Sequence, residues 1–225
     1  MPARPLVFIT GASSGIGRAL AERYHRAGWR LALVARRELE IKSWASAHQL
    51  SASSYQIYGA DVAQMDSIIA AGQACLQHQG LPDVVIANAG ISVGMDTAER
   101  ADLDVMARVF ATNNLGLAAT FHPFISAMTQ RGSGRLVGIG SVAGIRGLPG
   151  HGAYCASKAA VISYCESLRG ELRGSGVRVV TISPGYVDTP LTRENRYRMP
   201  FLMTPEAFAE SAFKAIETGS SYRVI

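Results

Sequence analysis

Six short runs of mostly apolar residues, rich in valine and isoleucine, restrict the fold of this chain more than any other feature. They alternate with longer segments of helical period and span Leu6–Ile9, Arg30–Ala35, Tyr55–Tyr58, Val84–Ala87, Arg135–Ile139 and Val177–Ile182. Hydrophobicity at consecutive positions, rather than at every second one, indicates strands that are buried on both faces. A parallel sheet covered by helices on each side meets that requirement, so the sequence predicts a doubly wound α/β fold with six to seven strands.

The segments between the strands repeat apolar residues every three or four positions, which is typical of helices that pack one face on a sheet. The first predicted crossover helix carries Ile16, Leu20, Tyr24 and Ala27 on one face and stops at Gly28. Two longer helices are predicted, one carrying Met106, Val109, Phe110, Asn113, Leu117 and Phe121, the other Val161, Cys165, Leu168 and Leu172. A last helix is predicted with Thr204 as its cap, then Pro205, Phe208, Ala212 and Ile216, with Gly219 past its end and an edge strand over Tyr222–Ile225.

Composition restricts the class of protein. A chain of 225 residues, 48% of them apolar, can bury one core, so we expect a single domain over residues 1–225. The four apolar residues Leu6–Ile9 are too few for a signal-peptide core or a membrane span, so we expect neither export nor insertion into a membrane. The spacings of Cys75, Cys155 and Cys165 match no zinc or redox motif, which favours reduced thiols, a cytoplasmic protein and no metal.

The net charge of +5 raises the question of a nucleic-acid partner. The arginines are scattered along the chain and form no basic arm, which favours solvated helix faces with one or two anion-binding arginines. We therefore expect no nucleic-acid partner, and salt-dependent binding to a generic duplex would contradict this expectation.

A glycine-rich turn follows the first predicted strand and opens the first predicted helix. It reads Thr10-Gly11-Ala12-Ser13-Ser14-Gly15-Ile16-Gly17, with the spacing G-x-x-x-G-x-G. Glycines let the backbone approach a pyrophosphate, and the helix supplies N–H donors and the positive end of its dipole. The turn predicts dinucleotide binding, and a tight turn without a ligand is the alternative. Its candidate binding residues are Gly11, Ser13, Ser14, Gly15, Ile16 and Gly17.

The second predicted strand is followed by two arginines, Arg36 and Arg37. NAD-binding proteins usually place an acidic residue here for the ribose hydroxyls. A guanidinium can instead form paired hydrogen bonds to a 2′-phosphate, so Arg36 predicts NADP as the cofactor. Arg37 is interpreted as a surface residue at the start of the next helix.

A phenol and an ammonium stand four positions apart in Tyr154-Cys155-Ala156-Ser157-Lys158, on one face of a predicted helix. Because a nearby cation stabilises a phenolate, Lys158 is expected to lower the pKa of Tyr154, which could then give or take a proton. Ser141 ends the fifth predicted strand, at the edge where such sheets bind ligands. Capping of a turn is the structural alternative for Ser141.

Together and in this order, the motifs resemble the short-chain dehydrogenase/reductase family, in its single-domain, NADP-preferring branch, from Leu6 to about Thr189. The resemblance implies a Rossmann-type fold and an oxidoreductase that transfers a hydride between NADP(H) and a carbonyl or alcohol substrate. The catalytic residues of the family map to Asn113, Ser141, Tyr154 and Lys158. Its cofactor-binding positions outside the glycine-rich turn map to Asp61, Val62, Asn88, Ala89, Gly90, Tyr154, Lys158, Pro184, Gly185, Val187 and Thr189.

The resemblance also implies roles. Tyr154 exchanges a proton with the substrate oxygen, Ser141 hydrogen-bonds that oxygen, and Lys158 holds ribose hydroxyls. Asn113 positions a water that links Lys158 to solvent, although an amide on an apolar helix face fits a structural network equally well. Thr189 holds the carboxamide of the nicotinamide.

Several of these positions have structural alternatives. Asp61 is also an ordinary residue for a turn at a strand end, and Asn88-Ala89-Gly90 braces the glycine-rich turn. Gly140 stands where the family often has a serine, without removing a group that the chemistry needs. For the whole protein, the alternative function is an NADP-binding regulatory or structural protein without significant turnover.

Segments that border the predicted crevice favour a medium-sized apolar substrate. Their apolar residues are Ile145, Leu148, Tyr186, Leu191, Met199, Phe201, Leu202 and Met203. Residues 190–204 form the predicted substrate lid, in which Arg193, Arg196 and Arg198 face solvent or meet an anionic substrate. The resemblance implies a homodimer through the helices that carry Asn113 and Tyr154. A homotetramer is less expected, because the sequence stops inside its edge strand, as a truncated one would.

Overall fold

A computed structural model describes residues 4–193 and 198–225 of the chain. Its centre is a seven-stranded sheet with the strand order β3-β2-β1-β4-β5-β6-β7, in which every neighbouring pair is parallel. The strands are β1 (Leu6–Thr10), β2 (Arg30–Ala35), β3 (Tyr55–Gly59), β4 (Val84–Ala87), β5 (Gly134–Ile139), β6 (Val177–Ser183) and β7 (Tyr222–Val224). The predicted doubly wound, Rossmann-type α/β fold is therefore confirmed, including the edge strand at the C-terminal end.

Helices cover both faces of this sheet. They are α1 (Gly15–Arg26), α2 (Glu38–Ala47), α3 (Met65–His78), α4 (Asp102–Phe110), α5 (Gly116–Arg131), α6 (Gly152–Glu171), α7 (Pro190–Arg193) and α8 (Pro205–Thr218). Among the described residues, no helix is long and apolar enough to cross a membrane. The same part of the chain contains no cluster of three or more side chains suited to a metal ion.

The strands separate two cores because successive side chains of a strand point to opposite faces. In β1, Val7 and Ile9 lie in the core shared with α1, α2 and α8, whereas Leu6 and Phe8 lie in the core shared with α3, α5 and α6. Both sets are fully buried. This two-sided burial explains why the strand sequences are continuously apolar.

The last helix forms as its sequence predicts. The hydroxyl of Thr204 accepts a hydrogen bond from the N–H of Ala207 at 3.2 Å, and Pro205 occupies the first turn. Gly219 ends the helix in the left-handed region with φ = 72°. These local signals were sufficient because each is satisfied within a few residues of the helix ends.

Two helix predictions were wrong. Ala27 is exposed and lies just past the end of α1, so the buried face of that helix ends at Tyr24. The single long helix predicted around Asn113 is instead α4 and α5 joined by a π-helical turn over Ala111–Leu115. Within this helical stretch, Met106 is exposed, although the periodicity placed it on the packed face.

Candidate active site

A cleft of about 590 Å³ opens at the carboxyl ends of the strands. It lies where the strand order reverses beside β1, the position at which sheets of this kind form a ligand crevice. All the predicted site residues line this cleft except Gly17 and Asn113. The lining also includes residues that sequence reasoning missed, among them Arg37, Arg108 and Thr112.

The glycine-rich turn is held against the β4 end by backbone approach. Gly11 and Gly15 adopt φ values of +69° and +53°, a region that L side chains rarely occupy. A Cβ on Gly17 would collide with the carbonyl of Gly11 and lie 2.6 Å from the amide nitrogen of Asn88. Gly17 therefore supports the turn from behind the cleft.

Asn88 braces the same turn, as the sequence indicated. Its side-chain amide donates to the carbonyl of Thr10 at 2.9 Å. In return, the hydroxyl of Thr10 accepts the backbone N–H groups of Asn88 and Ala89 at 3.0 and 3.1 Å. These bonds fix the distance between the glycine-rich turn and the segment Asn88–Gly90, which lines the middle of the cleft.

Two arginines mark one end of the cleft. Arg36 is mostly exposed, with its Nη1 3.6 Å from Oδ2 of Asp61. Arg37 turns toward the glycine-rich loop and donates to the hydroxyls of Ser13 and Ser14, each at 3.2 Å. Arg37 is exposed at the start of α2, as the sequence indicates, and its side chain also lines the cleft, a direction on which periodicity carries no information.

Asp61 has the turn role that was its structural alternative, and it also lies beside the guanidinium of Arg36. Its Oδ1 accepts the N–H of Ala63 at 3.0 Å, which closes a turn after β3. The next residue, Val62, lines the cleft and also packs on Gly116, where a Cβ would lie 2.6 Å from the carbonyl of Val62.

At the other end of the cleft, Ser141 follows β5 and Tyr154 lies in the first turn of α6. The buried Ser141 hydroxyl accepts the N–H of Ala143 at 3.1 Å, so it caps the short 3₁₀ turn Val142–Gly144. Burial raises the pKa of Tyr154, and its hydrogen bond with Ser141 acts in the opposite direction with a smaller effect. Ser141 thus contacts both the turn and the phenol.

Lys158 lies one helical turn after Tyr154 in α6, and it is buried at the wall of the cleft. Its ammonium donates to the carbonyl of Ile139 at 2.8 Å and lies 5.8 Å from the centre of the Tyr154 ring. Because burial disfavours the charged form, the pKa of Lys158 is lowered to about 8. The prediction that Lys158 lowers the pKa of Tyr154 does not hold as a net effect here, since burial raises that pKa.

Asn113 lies inside the π-helical turn, buried beside the cleft. Its Oδ1 accepts the N–H of Ile91 at 2.9 Å, and its Nδ2 donates to the carbonyl of Ile91 at 3.0 Å. Nδ2 also donates to the hydroxyl of Ser157 at 2.9 Å, which in turn donates to the carbonyl of Tyr154 at 2.8 Å. Ser157 therefore links the π turn to the first turn of α6, a connection that the spacing of residues in the sequence does not indicate.

Gly90 lies between these groups. A Cβ at this position would lie 3.2 Å from Oδ1 of Asn113 and 3.5 Å from Nζ of Lys158. The absence of a side chain at Gly90 therefore lets Asn113 and Lys158 lie on one side of the backbone.

The segment after β6 covers the glycine-rich turn. The carbonyl of Pro184 accepts the N–H of Val142 at 3.0 Å, and the N–H of Gly185 donates to the carbonyl of Ile225 at 2.7 Å. Val187 pairs with Met203, and Thr189 is buried. A Cβ on Gly15 would lie 3.2 Å from the Thr189 side chain, so these two segments meet directly.

The predicted lid is only partly described. Residues 190–193 form α7, and Arg193 pairs with Asp188 at 2.8 Å. Residues 194–197, including Arg196, lie outside the described residues. Beyond them, Phe201 is 97% exposed and has a positive φ of 57°.

The lining of the cleft fits a nicotinamide dinucleotide. Bare glycine backbone at Gly11 and Gly15 suits a pyrophosphate, and the guanidiniums of Arg36 and Arg37 suit an anionic group at one end. A phenol and an ammonium at the other end are suited to proton transfer.

Comparison with known proteins agrees with this arrangement. A sequence profile described as short chain dehydrogenase matches residues 5–199. A relative from Myxococcus xanthus, named an uncharacterized oxidoreductase, is 39% identical over 213 residues, covering 95% of this chain and 84% of the relative. The chain spans 60%, 58% and 59% of the length of three further relatives.

Two solved structures are similar over most of their length. One is a short-chain dehydrogenase from Sphingobium yanoikuyae in complex with NADPH, 28% identical, with a TM-score of 0.87 over 98% of this chain and 87% of that one. The other is a short-chain dehydrogenase/reductase from Burkholderia phymatum in complex with NAD, 26% identical, with a TM-score of 0.89 over 98% of this chain and 88% of that one.

Proposed function

The chain belongs to the short-chain dehydrogenase/reductase family, and from that premise we propose that it is an NADP(H)-dependent oxidoreductase that interconverts a carbonyl and an alcohol. The observation that carries this proposal is the convergence of Ser141, Tyr154 and Lys158 on the cleft that the glycine-rich turn also lines. A protein that only bound the cofactor would not need a phenol, a hydroxyl and a buried ammonium together at the far end of the cleft.

When bound, the cofactor supplies or accepts the hydride. Tyr154 donates its proton to the substrate oxygen as negative charge develops there, and recovers it in the reverse reaction. Ser141 hydrogen-bonds the same oxygen and orients it, while its own position is fixed by the cap to Ala143. Lys158, with a pKa of about 8, is mostly an ammonium at neutral pH and stabilises the phenolate that remains.

Asn113 acts in this proposal by holding the site together and by positioning a water between Lys158 and solvent. Support comes from its three hydrogen bonds to Ile91 and Ser157, which tie the cleft wall to α6. Because Asn113 does not itself line the cleft, its contribution to binding is indirect.

The proposed preference for NADP over NAD rests on Arg36 and on the arginines that stand directly after β2 in place of an acidic residue, with Arg37 as a second cation at this end of the cleft. Both guanidiniums line the cleft at the end of β2, where a 2′-phosphate would need a cationic partner once partly desolvated. Asp61 faces Arg36, so a phosphate would compete with this carboxylate for the guanidinium. The similar structures do not decide between the cofactors, since one contains NADPH and the other NAD.

We propose a medium-sized apolar carbonyl compound as the substrate, a single domain, a cytoplasmic location and a lid over residues 190–204. Support for the substrate class comes from Leu191, which lines the cleft, and from the exposed apolar side chains of Ile145, Leu148, Phe201 and Leu202 in the segment that follows Ser141 and in the described part of the proposed lid. Arg193 is paired with Asp188, so it is a weaker candidate for an anionic substrate than Arg198.

The experiment that tests the function is NADPH oxidation, followed by absorbance, with ketones, aldehydes and quinones that are matched in size and carry or lack a carboxylate. Turnover with neutral apolar carbonyls is expected. Preference for the carboxylate-bearing members would overturn the substrate class. NADPH binding without turnover across the panel would favour the regulatory alternative.

We propose a homodimer through α4, α5 and α6, with a homotetramer as the alternative. Support comes from exposed apolar side chains on these helices, Leu103, Met106 and Tyr164. Light scattering at micromolar concentration is expected to report a dimer, and a monomer would contradict this proposal.

A further inference from the structure

A second, smaller cavity lies at the opposite end of the sheet, below the amino ends of β5 and β6. Its volume is about 250 Å³. Three arginines from three elements line it: Arg131 at the end of α5, Arg135 in β5 and Arg178 in β6. Neither the sequence motifs nor the reaction proposed above uses these residues.

Two of the arginines are direct neighbours. Arg135 and Arg178 are opposite each other in the register of β5 and β6, so their side chains leave the same face of the sheet. Both reach the end of α8, where Arg135 donates to the carbonyl of Glu217 and Arg178 to that of Thr218. Like charges directly opposite in a sheet destabilise it unless something neutralises them.

Neutralisation by the protein is incomplete. Arg131 lies 3.5 Å from Asp83, and Arg135 lies 3.5 Å from Glu217. Within the described parts of the chain, Arg178 has no carboxylate within 4.0 Å, and its one side-chain hydrogen bond is the 3.4 Å contact with Thr218. A guanidinium has five N–H donors, so most of those on Arg178 are available to a ligand.

The rest of the wall is formed by Asp83, whose carboxylate faces Arg131, by Ser133, and by the glycines Gly134 and Gly176. A Cβ on Gly134 would lie 2.5 Å from the sulfur of Met128, and one on Gly176 would collide with the carbonyl of Gly132. The two glycines therefore let the cavity wall pack tightly against Met128 and Gly132. Drug-sized ligands need pockets of about 300–1,000 Å³, so this cavity suits a smaller molecule.

From the cavity, the in-register arginine pair and the unpaired Arg178, we propose that this end of the sheet is a binding site for a small doubly charged oxyanion of the size of inorganic phosphate. The anion accepts hydrogen bonds from Arg178 and Arg135, while Arg131, whose three nitrogens already donate to backbone carbonyls, adds positive charge. Guanidinium groups bind such oxyanions through paired, charge-assisted hydrogen bonds, which supports the choice of phosphate over a halide. The site is separate from the dinucleotide cleft and does not depend on the proposed reaction.

The test is thermal unfolding of three proteins, the native chain, Arg178→Gln and Arg173→Gln, in a series of inorganic phosphate concentrations at constant ionic strength set with chloride. Arg173 is also exposed, follows α6 and does not line the cavity, so it is the matched control. Phosphate that binds at the glycine-rich turn affects all three proteins equally, because neither substitution touches that turn.

Phosphate is expected to raise the melting temperature of the native chain and of Arg173→Gln to the same extent, as binding to the folded state requires. The rise should be much smaller for Arg178→Gln, with an apparent affinity at least about tenfold weaker, because a charge-assisted partner is lost. In chloride alone, Arg178→Gln should be no less stable than the native chain, since the substitution removes the repulsion from Arg135.

Two results would overturn the proposal. An equal phosphate response of the native chain and Arg178→Gln would show that the arginines do not bind the anion. A loss of stability in Arg178→Gln that is the same in chloride and in phosphate would show that Arg178 serves only to cap α8.

Discussion

The two ends of the sheet differ in what their polar side chains contact: those at the carboxyl end line an open cleft, and arginines at the amino end bind backbone carbonyls. At the carboxyl end, the glycine-rich turn, Ser141 and Tyr154 present polar groups to an open cleft of about 590 Å³. At the amino end, Arg30 and Arg131 donate to backbone carbonyls. Arg30 donates to the carbonyl of Gln79 at 3.1 Å, and Arg131 to those of Leu81 and Pro82.

The polarity of the helices explains this difference. In a parallel sheet, every crossover helix begins near the carboxyl end of one strand and ends near the amino end of the next, so free N–H groups collect at one edge and free carbonyls at the other. Arginine side chains satisfy the carbonyls and favour the negative ends of the helix dipoles. Substitutions at the carboxyl end of the sheet should therefore affect mainly activity, and substitutions at the amino end should affect mainly stability.

The largest effect on activity is expected at the carboxyl end of the sheet, from Tyr154→Phe, which removes one hydroxyl and keeps the ring. Turnover should fall at least about 100-fold, the range for loss of a general acid. Cofactor affinity, measured by fluorescence titration, should remain within a factor of about 2. Tyr164→Phe on the same helix is the matched control and should leave turnover unchanged. If Tyr154→Phe retains substantial carbonyl reduction, the acid is another group, and His151, which directly precedes α6 and lies three residues before Tyr154, is the first to test.

Lys158, at the same end of the sheet, is expected to lower the free energy of unfolding by an amount that depends on pH. Its pKa is about 8 in the folded chain against an ordinary 10.5. Between those two pH values the unfolded chain binds more protons than the folded chain, so the free energy of unfolding rises with pH. The destabilisation that comes from burying the charged lysine is fully present below pH 8. From about pH 7.5 to about pH 9.5, the native chain should therefore gain about 2 kcal/mol relative to Lys158→Met.

Chemical denaturation at a series of pH values measures this difference. Lys214→Met, at an exposed lysine on α8, is the control, and its difference from the native chain should stay flat over the same range. A flat difference for Lys158→Met as well would mean that the buried lysine titrates as it does in water.

The two arginines at the cofactor end should have distinct effects. Arg36→Ala should lower the ratio of NADP to NAD affinity about tenfold, since one charge-assisted partner of the 2′-phosphate is lost. Arg37→Ala should weaken both cofactors, because Arg37 also holds Ser13 and Ser14. Dissociation constants for both cofactors decide the matter, and an unchanged ratio in Arg36→Ala would contradict the assignment of the phosphate to that residue.

The smallest effect is expected from a substitution at the amino end of the sheet. Arg131→Gln loses three hydrogen bonds to backbone carbonyls and a part-exposed contact with Asp83. Its free energy of unfolding in chloride should fall by about 1 kcal/mol, while kcat/KM stays unchanged. A change in kcat/KM without a change in stability would contradict the expectation that the amino end of the sheet affects stability and not activity.

Most of the fold could be predicted because its signals are local or periodic. The bounds of β2 and β4 agree exactly with the apolar runs, and the cap at Thr204 has the partner that its sequence predicts. The π-helical turn was not predictable in this way. Its residues keep the 3–4 spacing of an α-helix, and the wider winding is fixed by contacts of Asn113 with Ile91 and Ser157, far away in sequence.

The site was predictable in its residue types and less so in their states. The motif around Tyr154 and Lys158 indicated which groups meet, but the pKa of each depends on burial by other elements. The orientation of Arg37 and the link through Ser157 depend on side-chain directions, which spacing does not encode. These four assignments needed three-dimensional contacts.

The π turn at Ala111–Leu115 also sets the rotational phase of the rod that α4 and α5 form. An α-helix advances about 100° per residue, and a π turn accommodates one residue more than an α-helical turn. The two halves consequently bury different sides: Val109 of α4 packs with Ala153 of α6, whereas Phe121 and Phe124 of α5 lie in the core against the sheet. Deleting one residue from this turn would leave every contacting side chain chemically intact and still rotate one half out of alignment. The length of the segment is therefore a constraint in its own right, separate from its composition.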